Sequence, residues 1–372
     1  MIRIGLIGFG NMGKTHAFSV AAMPFYYSPL PFEAKIVGVV CTKPETTAAA
    51  AKAIGCEAYS SAEALISDPE IDLIDICTPN DSHEDLIALC VKYGKHIYCE
   101  KPLCPDAPSS YRAAKAVRDA GLVGKVVFHN RFFPATLYAK KLLDSGKLGD
   151  PLSFRFAYLH ASCTEPEKKA GWKQCGSFGG GVLNDLGSHV IDLMVSLLGP
   201  VASVSALTQI GYPQRKGIGG GEWTTDAEEA AYLNVVLKNG AMGTVEASKL
   251  AVGTQDDLRF EIYCKNGALR FSMAEPGILE YFDRNGENVN GFTRLDVGGR
   301  YDPPGGAFPS PKAPVGWLRA HAHSYYTLLS ALSDHTAVSP DFFEGAYVQA
   351  VIDAAKRSAG NHGAFTEVEE WS

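Results

Sequence analysis

Hydrophobic and polar positions follow two different patterns along this chain, and the change between them divides it in two. In the first third, short apolar runs are separated by helical segments of roughly ten residues. The apolar runs cover residues 2–7, 35–41, 71–78 and 96–100, and a further strand begins near residue 124. Strands that alternate with helices are typical of βαβ units, so this part predicts a doubly wound parallel Rossmann sheet of the α/β class.

Beyond residue 124, several runs show an alternation of apolar and polar residues. These runs cover residues 152–161, 201–210, 230–238, 241–250, 258–265 and 267–273. Asn239-Gly240 and Asn266-Gly267 separate two neighbouring pairs, and Asn-Gly is a strong hairpin signal. The pattern predicts an α+β domain with a large, mostly antiparallel open sheet.

Helices and irregular loops complete the predicted layout. Helices are expected at residues 136–145, 317–333 and 342–358, and proline-rich or glycine-rich loops at 24–33 and 285–316. We therefore predict a dinucleotide-binding domain over residues 1–123 and a domain for substrate binding and oligomerisation over residues 124–372.

Composition narrows the class of protein. The 372 residues are 46% hydrophobic and 20% charged, as in an ordinary globular protein. A net charge of −7 offers no electrostatic footprint for nucleic acid or an anionic membrane, and we expect neither partner. The chain opens on a strand rather than a secretory signal, and its nine cysteines include no CxxC pair. We therefore expect reduced thiols, a cytoplasmic location and no metal site.

Three glycines directly follow the first strand, at the GxGxxG spacing. Gly8 permits a tight turn, Gly10 lets a pyrophosphate approach the backbone, and Gly13 lets the next helix pack close to the strand. The free N–H groups of that helix would face the phosphates. The residues predicted to bind a dinucleotide here are Gly8, Phe9, Gly10, Asn11, Met12 and Gly13. The alternative is a glycine-rich turn without a ligand.

Further polar residues follow the later strands of the predicted parallel sheet. Ligands bind at the carboxyl ends of such strands, so these residues are expected to line the same crevice as the glycine turn. They are Thr42, Lys43, Thr78, Pro79, Asn80, His83, Glu100 and Lys101.

The choice between NAD and NADP stays open. An NAD site usually has Asp or Glu at the end of the second strand, where it bonds the ribose 2′-hydroxyl. Here the strand ends Cys41-Thr42-Lys43, without an acid. Lys43 would attract the 2′-phosphate of NADP, or else it points to solvent while Thr42 bonds the ribose of NAD.

Residues 179–193, GGGVLNDLGSHVIDL, carry the second group of candidate chemical residues. Asp185 and His189 are four positions apart in a helical segment and share one face with Asp192. A carboxylate that orients an imidazole makes it a candidate general base. The alternative is a pair on a helix surface without a function.

These motifs together resemble the Gfo/Idh/MocA family, named after glucose–fructose oxidoreductase and inositol dehydrogenase. The resemblance rests on the opening glycines, Thr78-Pro79-Asn80 with His83, Glu100-Lys101-Pro102, Arg131-Phe132 and the stretch with Asp185 and His189. It implies a Rossmann domain followed by a domain whose sheet often forms the interface of a homo-oligomer, a dimer or tetramer. It also implies that Lys101, Asp185 and His189 form the catalytic set.

The resemblance implies hydride transfer between a nicotinamide and a secondary alcohol or ketone of a sugar, cyclitol or glycoside. His189 would take the hydroxyl proton and Lys101 would stabilise the developing alkoxide. The residues expected to bind substrate are Lys101, Asn130, Arg131, Trp172, Lys173, Asp185 and His189. Two alternatives remain, a glycoside-cleaving enzyme that uses bound NAD transiently and a non-enzymatic redox or sugar sensor. The sequence does not identify the substrate.

Two histidines near the start of the 317–333 helix form a weaker signal. His321 and His323 are two positions apart and cannot share a helix face. We expect one of them to face the sheet of the second domain and the other to face solvent.

Overall fold

The computed structural model describes residues 1–165, 167–217, 220–286 and 291–369. Contacts divide the chain into two compact units. The first unit comprises Met1–Phe132 and Gly299–Ala346, and the second comprises Phe133–Gly298 and Tyr347–Ser372. Residues 299–346 thus group with the N-terminal strands, whereas the sequence placed them in the C-terminal domain.

The first unit is built on a six-stranded parallel sheet. Its strands are β1 (Ile2–Ile7), β2 (Ala34–Val40), β3 (Glu57–Ala58), β4 (Leu73–Ile76), β5 (His96–Cys99) and β6 (Gly124–Val126). Their order in the sheet is β3-β2-β1-β4-β5-β6, and every pair is parallel. This is the order of a doubly wound dinucleotide-binding domain, so the predicted Rossmann sheet is confirmed.

Five helices connect these strands. They are α1 (Asn11–Tyr26), α2 (Pro44–Ile54), α3 (Ala62–Ser67), α4 (His83–Lys92) and α5 (Ala107–Asp119). The prediction of an irregular loop at 24–33 is wrong for its first three residues, because α1 continues through Pro24 to Tyr26. Met23 and Tyr27 are both buried in the apolar core, and that burial holds the end of the helix in place.

The second unit contains a nine-stranded sheet and a small hairpin. The strands in chain order are β7 (Pro151–His160), β8 (Val201–Gln209), β9 (Gln214–Lys216), β10 (Glu222–Thr224), β11 (Ala230–Leu237), β12 (Met242–Ser248), β13 (Asp256–Cys264), β14 (Gly267–Ser272), β15 (Ile278–Asp283), β16 (Thr293–Asp296) and β17 (Thr366–Glu367). The large sheet has the order β16-β15-β14-β13-β7-β12-β11-β8-β17, and β9 pairs with β10. β7 and β12 are parallel and the other neighbours antiparallel, which confirms the mostly antiparallel sheet.

Helices α6 (Pro134–Asp144) and α7 (Ser188–Leu198) belong to the second unit, and α8 (Trp317–Asp334) and α9 (Phe342–Gly360) follow. α8 packs against α1, and its residues Tyr325, Leu328 and Leu329 join the core beneath β1. This apolar face explains why residues 299–346 group with the first unit. The loop expected over 285–316 contains β16, and its residues 287–290 lie outside the described part of the chain.

One helical stretch among the described residues, Gly176–Leu198, is long and apolar enough to cross a membrane by length and composition alone. Its most apolar window is 83% buried inside the protein. Burial of that extent is what a core helix has, so this stretch is only weak evidence for a membrane span.

Candidate active site

The glycine turn after β1 has the geometry that its sequence predicts. Gly8 has φ of +92°, and a Cβ there would lie 2.5 Å from the carbonyl oxygen of Cys77. A Cβ on Gly13 would lie 2.1 Å from the carbonyl oxygen of Gly8, so α1 can approach the turn only with glycine. At Gly10 a Cβ would meet no atom within 4 Å, so the backbone there faces open space. This turn fits the pyrophosphate of a dinucleotide, with Phe9, Asn11 and Met12 completing it.

Thr42 and Lys43 follow β2 and are exposed. Lys43 occupies the N-cap position of α2, where no side chain caps the helix. A neutral hydroxyl, an ammonium group and the N–H groups of a helix start therefore lie together at this strand end. Such a set accepts either a ribose hydroxyl or a 2′-phosphate, so the choice between NAD and NADP stays open.

His83 is fully buried, and its ring contacts backbone on two sides. Nδ1 lies 3.0 Å from the carbonyl oxygen of Pro102 and 3.1 Å from that of Leu103, and Nε2 lies 3.1 Å from that of Thr78. Burial lowers the pKa of His83, while these hydrogen bonds act in the opposite direction. His83 thus ties the Thr78 loop to the loop after Lys101 and supports the crevice rather than lining it.

Glu100, which was predicted to bind the cofactor, faces the interior. Its Oε1 lies 3.3 Å from Nε2 of His16, and its Oε2 accepts a hydrogen bond of 3.1 Å from the backbone N–H of Lys101. Lys101 itself is partly exposed and directly follows this residue after β5. The buried carboxylate therefore fixes the backbone from which the Lys101 side chain projects.

His16, Asp75 and Cys77 form a cluster of possible metal ligands, with ligand atoms within 4.8 Å of one another. His16 Nδ1 instead lies 2.9 Å from Asp75 Oδ1 and 3.2 Å from Cys77 Sγ, at hydrogen-bond distances. Burial raises the pKa of the Cys77 thiol, as does the charge of Asp75, which disfavours the thiolate that a metal requires. The expectation of no metal site stays a prediction.

His321 and His323 both pack within the first unit. The His321 ring stacks on His129 with ring centroids 3.8 Å apart, and His323 Nδ1 lies 2.8 Å from the Tyr27 hydroxyl. Neither ring nitrogen of His321 has a hydrogen-bond partner among the described residues. Burial and the positive charges of His129, His16 and Lys101 hold the pKa of His321 well below its usual range. The expectation that one of the pair faces solvent is wrong, because aromatic contacts bury His321 and leave His323 only partly exposed.

Asn130 and Arg131, two candidate substrate residues, lie in a short 3-10 helix, His129–Phe132. Asn130 is fully buried. Arg131 donates from Nη1 to Glu344 Oε1 at 2.6 Å and to Ser339 Oγ at 3.1 Å. The guanidinium is therefore engaged in an ion pair with Glu344 within the first unit.

In the second unit, the three glycines before Asp185 make a turn that other residues could not. Gly179 and Gly181 have φ of +71° and +105°. A Cβ on Gly181 would lie 2.5 Å from Glu228 Oε1, the oxygen that also accepts the Leu183 N–H at 3.0 Å. The glycines thus bring the chain against Glu228 immediately before the helix.

Asp185 lies in a π-helical turn, Leu183–Gly187, that leads directly into α7 and His189. π-helical turns are rare in proteins, and those that occur often lie at functional sites. His189 is 5% exposed, and its ring contacts Tyr158 edge to face at a centroid distance of 5.9 Å. Asp192, one turn further along, is fully buried. The predicted placement of Asp185 and His189 on one continuous helical segment is therefore observed.

The carboxylate of Asp185 is bound by two ammonium groups. Lys173 Nζ lies 3.0 Å from Oδ2 and 3.2 Å from Oδ1, and Lys249 Nζ lies 3.0 Å from Oδ2. Trp172 precedes Lys173 in a short 3-10 helix and is 38% exposed, with the ammonium 5.6 Å from its ring centroid. The structure thus brings Trp172, Lys173 and Asp185 together as predicted candidates, and it adds Lys249.

Sequence reasoning missed Lys249 and the buried ion pair between Arg215 and Glu229. Arg215 Nη2 lies 2.7 Å from Glu229 Oε1, and both side chains are almost fully buried. Arg215 also donates to the carbonyl oxygens of Cys163 and Glu165, at 2.8 and 2.9 Å. The one available signal for Lys249 was a charged residue within the alternating run predicted over residues 241–250.

Comparisons with known proteins agree with this architecture. A family model described as the oxidoreductase family with an NAD-binding Rossmann fold matches residues 2–128, and the GFO/IDH/MocA C-terminal domain matches residues 136–270. Levoglucosan dehydrogenase of Pseudarthrobacter phenanthrenivorans is 31% identical over 96% of each chain. Inositol 2-dehydrogenase of Rhizobium meliloti is 28% identical, also over 96% of each chain. A solved structure of levoglucosan dehydrogenase in complex with NADH and levoglucosan has a TM-score of 0.95, 30% identity and 100% coverage of both chains.

Proposed function

We propose that this chain, which belongs to the Gfo/Idh/MocA family of NAD-binding oxidoreductases, oxidises a secondary alcohol of a sugar or cyclitol. In this proposal Lys101, Asp185 and His189 are the catalytic residues. The observation that carries the proposal is that Lys101 follows β5 at the edge of the sheet where the Gly8–Gly13 turn follows β1. A dinucleotide bound by that turn supplies a hydride acceptor at its nicotinamide ring.

In this proposal, His189 accepts the proton of the reacting hydroxyl group. The π-helical turn Leu183–Gly187, which precedes His189, sets the orientation of its imidazole. Lys101 donates a hydrogen bond to the same oxygen and stabilises the negative charge that develops there. Its backbone is fixed by the Glu100 carboxylate, so the ammonium projects from a rigid position. Asp185 binds a neighbouring hydroxyl of the substrate and thereby orients the ring.

The substrate class that we propose is a polyhydroxylated ring. The relatives named above act on levoglucosan and inositol, as their names state. The exposed indole of Trp172 offers a flat apolar surface, and Lys173 and Asp185 offer charged hydrogen-bonding groups beside it. Such a combination suits a sugar or cyclitol, whose ring has apolar faces and a polar rim.

For the assembly, we propose a homo-oligomer formed through the sheet of the second unit. A groove of about 550 Å³ on this sheet is lined by four arginines and four glutamates, among them Arg155, Glu261 and Arg270. Across a two-fold axis, the arginines of one copy can form ion pairs with the glutamates of a second copy. Light scattering after gel filtration tests this, and a monomer at working concentration would contradict it.

For the location, we propose the cytoplasm. All nine cysteines are free thiols in the structure, six of them buried and the others partly exposed. Free thiols in this number suit a reducing compartment.

The experiment that tests the proposed function is a substrate screen. The protein is incubated with NAD⁺ or NADP⁺ and with levoglucosan, inositols, free sugars and glycosides, and the absorbance of the reduced nicotinamide is followed. Reduced cofactor formed in proportion to oxidised substrate supports the proposal. Cleavage of a glycoside without net reduction would favour the transient-oxidation alternative, and no reaction with any member would favour a sensor.

A further inference from the structure

Lys249 is a buried cation whose position is fixed from three directions. It directly follows β12, and its side chain is 4% exposed. Its backbone N–H donates to the carbonyl oxygen of Glu229 at 2.8 Å, and its own carbonyl accepts the N–H of Cys163 at 2.9 Å. Its Nζ lies 3.0 Å from Asp185 Oδ2, and among the described residues no other carboxylate lies within 4.0 Å of this ammonium. The ammonium group therefore has little freedom to move away from Asp185.

The two lysines that bind Asp185 differ in exposure. The side chain of Lys173 is 47% exposed, whereas that of Lys249 is 4% exposed, and Asp185 itself is 19% exposed. Both ammonium groups lie 3.0 Å from Oδ2, while Lys173 also reaches Oδ1 at 3.2 Å. Lys249 is thus the fixed partner, and the contact between Lys173 and Oδ1 is the one that an incoming hydroxyl group can replace.

Stability alone does not account for the buried lysine. Taking an ammonium group out of water costs several kcal/mol, and its attraction to one carboxylate at best offsets that cost. An apolar side chain at the end of β12 would fill the same space without this penalty. The Lys249 ammonium is buried at this cost beside the partly exposed carboxylate of Asp185. This favours a role for Lys249 in holding that carboxylate in position.

We propose that Lys249 is a positioning residue that holds Asp185 Oδ2 so that Oδ1 faces the substrate, which rests on the proposed function of Asp185. Lys249 itself touches no reacting group in this proposal. When the sugar binds, the Lys173 ammonium leaves Oδ1 and donates a hydrogen bond to the incoming hydroxyl group. The Asp185 carboxylate thus has one buried partner, Lys249, that stays in place, and one exposed partner, Lys173, that the substrate hydroxyl group replaces.

A double-mutant cycle tests this with Lys249→Met, Asp185→Asn and the double variant. We expect Lys249→Met to lower kcat by up to about a hundredfold, because misplacing a reacting group by about 1 Å has that effect. In the Asp185→Asn background the same change should have little further effect on kcat. Lys249→Arg should restore part of the activity, and Lys173→Met should raise KM more than it lowers kcat.

The free energy of unfolding in urea gives a readout that does not depend on activity. The Lys249→Met and Asp185→Asn changes should be non-additive there if the ion pair exists. Additive stabilities, or a Lys249→Met variant with wild-type kcat, would overturn the proposal. If Lys249→Met does not fold, Lys249→Gln is carried through the same cycle.

Failure of the proposed function has a separate signature. In that case the wild-type protein reduces no nicotinamide with any polyol, and the positioning role falls together with the reaction. The unfolding cycle still reports on whether the ion pair exists. A wild-type protein that is active and a Lys249 variant that is equally active would overturn the positioning role alone.

Discussion

The imidazole of His16 lies between two buried carboxylates, with Nδ1 2.9 Å from Asp75 Oδ1 and Nε2 3.3 Å from Glu100 Oε1. The Tyr325 hydroxyl donates to the other oxygen of Asp75 at 3.0 Å, and Tyr98 stacks on the imidazole. Cys77 Sγ also lies against Nδ1, at 3.2 Å. This cluster joins α1, β4, β5 and α8 beneath the loop that carries Lys101.

The first prediction concerns the stability of this cluster against pH. Burial alone would lower the pKa of His16, but the charge of Asp75 and the hydrogen bond to Asp75 raise that pKa well above 6.5. A raised folded-state pKa stabilises the protein fully below the unfolded pKa and loses that effect as the pH rises through the folded pKa. We therefore expect the free energy of unfolding to fall as the pH rises from 6.5.

The measurement is urea unfolding between pH 6.5 and about pH 9, below the tyrosine range, with His16→Gln as the comparison. The buried thiols also weaken the fold at alkaline pH, so the wild-type slope minus the variant slope isolates His16. His16→Gln should also cost about 3–5 kcal/mol at pH 6.5, because it leaves buried carboxylates without a cation. Parallel pH profiles for the two proteins would contradict the prediction.

The second prediction concerns the buried pair of Arg215 and Glu229. Arg215→Met leaves the Glu229 carboxylate buried without its cation, which should lower the free energy of unfolding by about 3–5 kcal/mol. The neighbouring Lys216→Met is the matched control, because Lys216 pairs with Glu167 in full exposure and should change stability by less than about 1 kcal/mol. The free energy of unfolding is measured in urea. Equal losses in Arg215→Met and Lys216→Met would contradict the prediction that burial of the ion pair determines the loss.

The third prediction distinguishes two glycines: Gly13, which the fold requires, and Gly10, which the binding of a dinucleotide requires. Gly10 has φ of −72°, and a Cβ there meets no atom within 4 Å, so Gly10→Ala should keep wild-type stability. Its methyl group would stand where the pyrophosphate approaches, and the Kd for the dinucleotide should rise about tenfold or more. Gly13→Ala should destabilise the fold itself, because its Cβ would lie 2.1 Å from the Gly8 carbonyl oxygen.

Gly360→Ala is the control for this series, since a Cβ there also meets no atom within 4 Å and the residue lies at the end of α9. It should change neither stability nor dinucleotide affinity. Fluorescence titration with NADH gives the Kd values, and unchanged affinity in a folded Gly10→Ala protein would argue for a glycine turn without a ligand.

The fourth prediction concerns the choice of cofactor at the end of β2. Thr42→Asp would place a carboxylate where NAD sites bond the ribose 2′-hydroxyl and would repel a 2′-phosphate. We expect the ratio of Kd for NADPH to Kd for NADH to rise about tenfold or more. Ser60→Asp adds the same charge at another exposed position of the first unit and should leave the ratio unchanged. A ratio that does not move in Thr42→Asp would mean that the adenosine ribose lies elsewhere.

The sequence predicted those parts of the fold that local patterns determine. The strand, glycine turn and helix at residues 2–23 follow from apolar runs and from backbone geometry that only glycine permits, and the structure confirms them, with the helix continuing to Tyr26. Hairpins with Asn-Gly turns were found for the same reason. β15, β16 and the β9–β10 hairpin were missed, because their short strands mix charged and apolar residues without a clear alternation.

The site shows the same division between local and long-range information. Asp185 and His189 could be paired from sequence, because their relationship lies within one helical segment. Lys249 lies 64 positions after Asp185 (249 − 185), so only the folded sheet brings its ammonium to the carboxylate. Similarly, the inward orientation of Glu100 depends on His16, which reaches it from α1.

The most direct test of the proposed function is the rate of reduced-nicotinamide formation by Lys101→Ala and His189→Ala, compared with wild type and with Lys92→Ala. Lys92 is an exposed lysine on α4, and its removal should leave the rate unchanged. We expect each of the two active-site variants to lose at least about a hundredfold in kcat/KM, because each removes proton transfer or charge stabilisation at the reacting oxygen. Rates near wild type in both variants, on a substrate that the wild-type protein oxidises, would contradict the account.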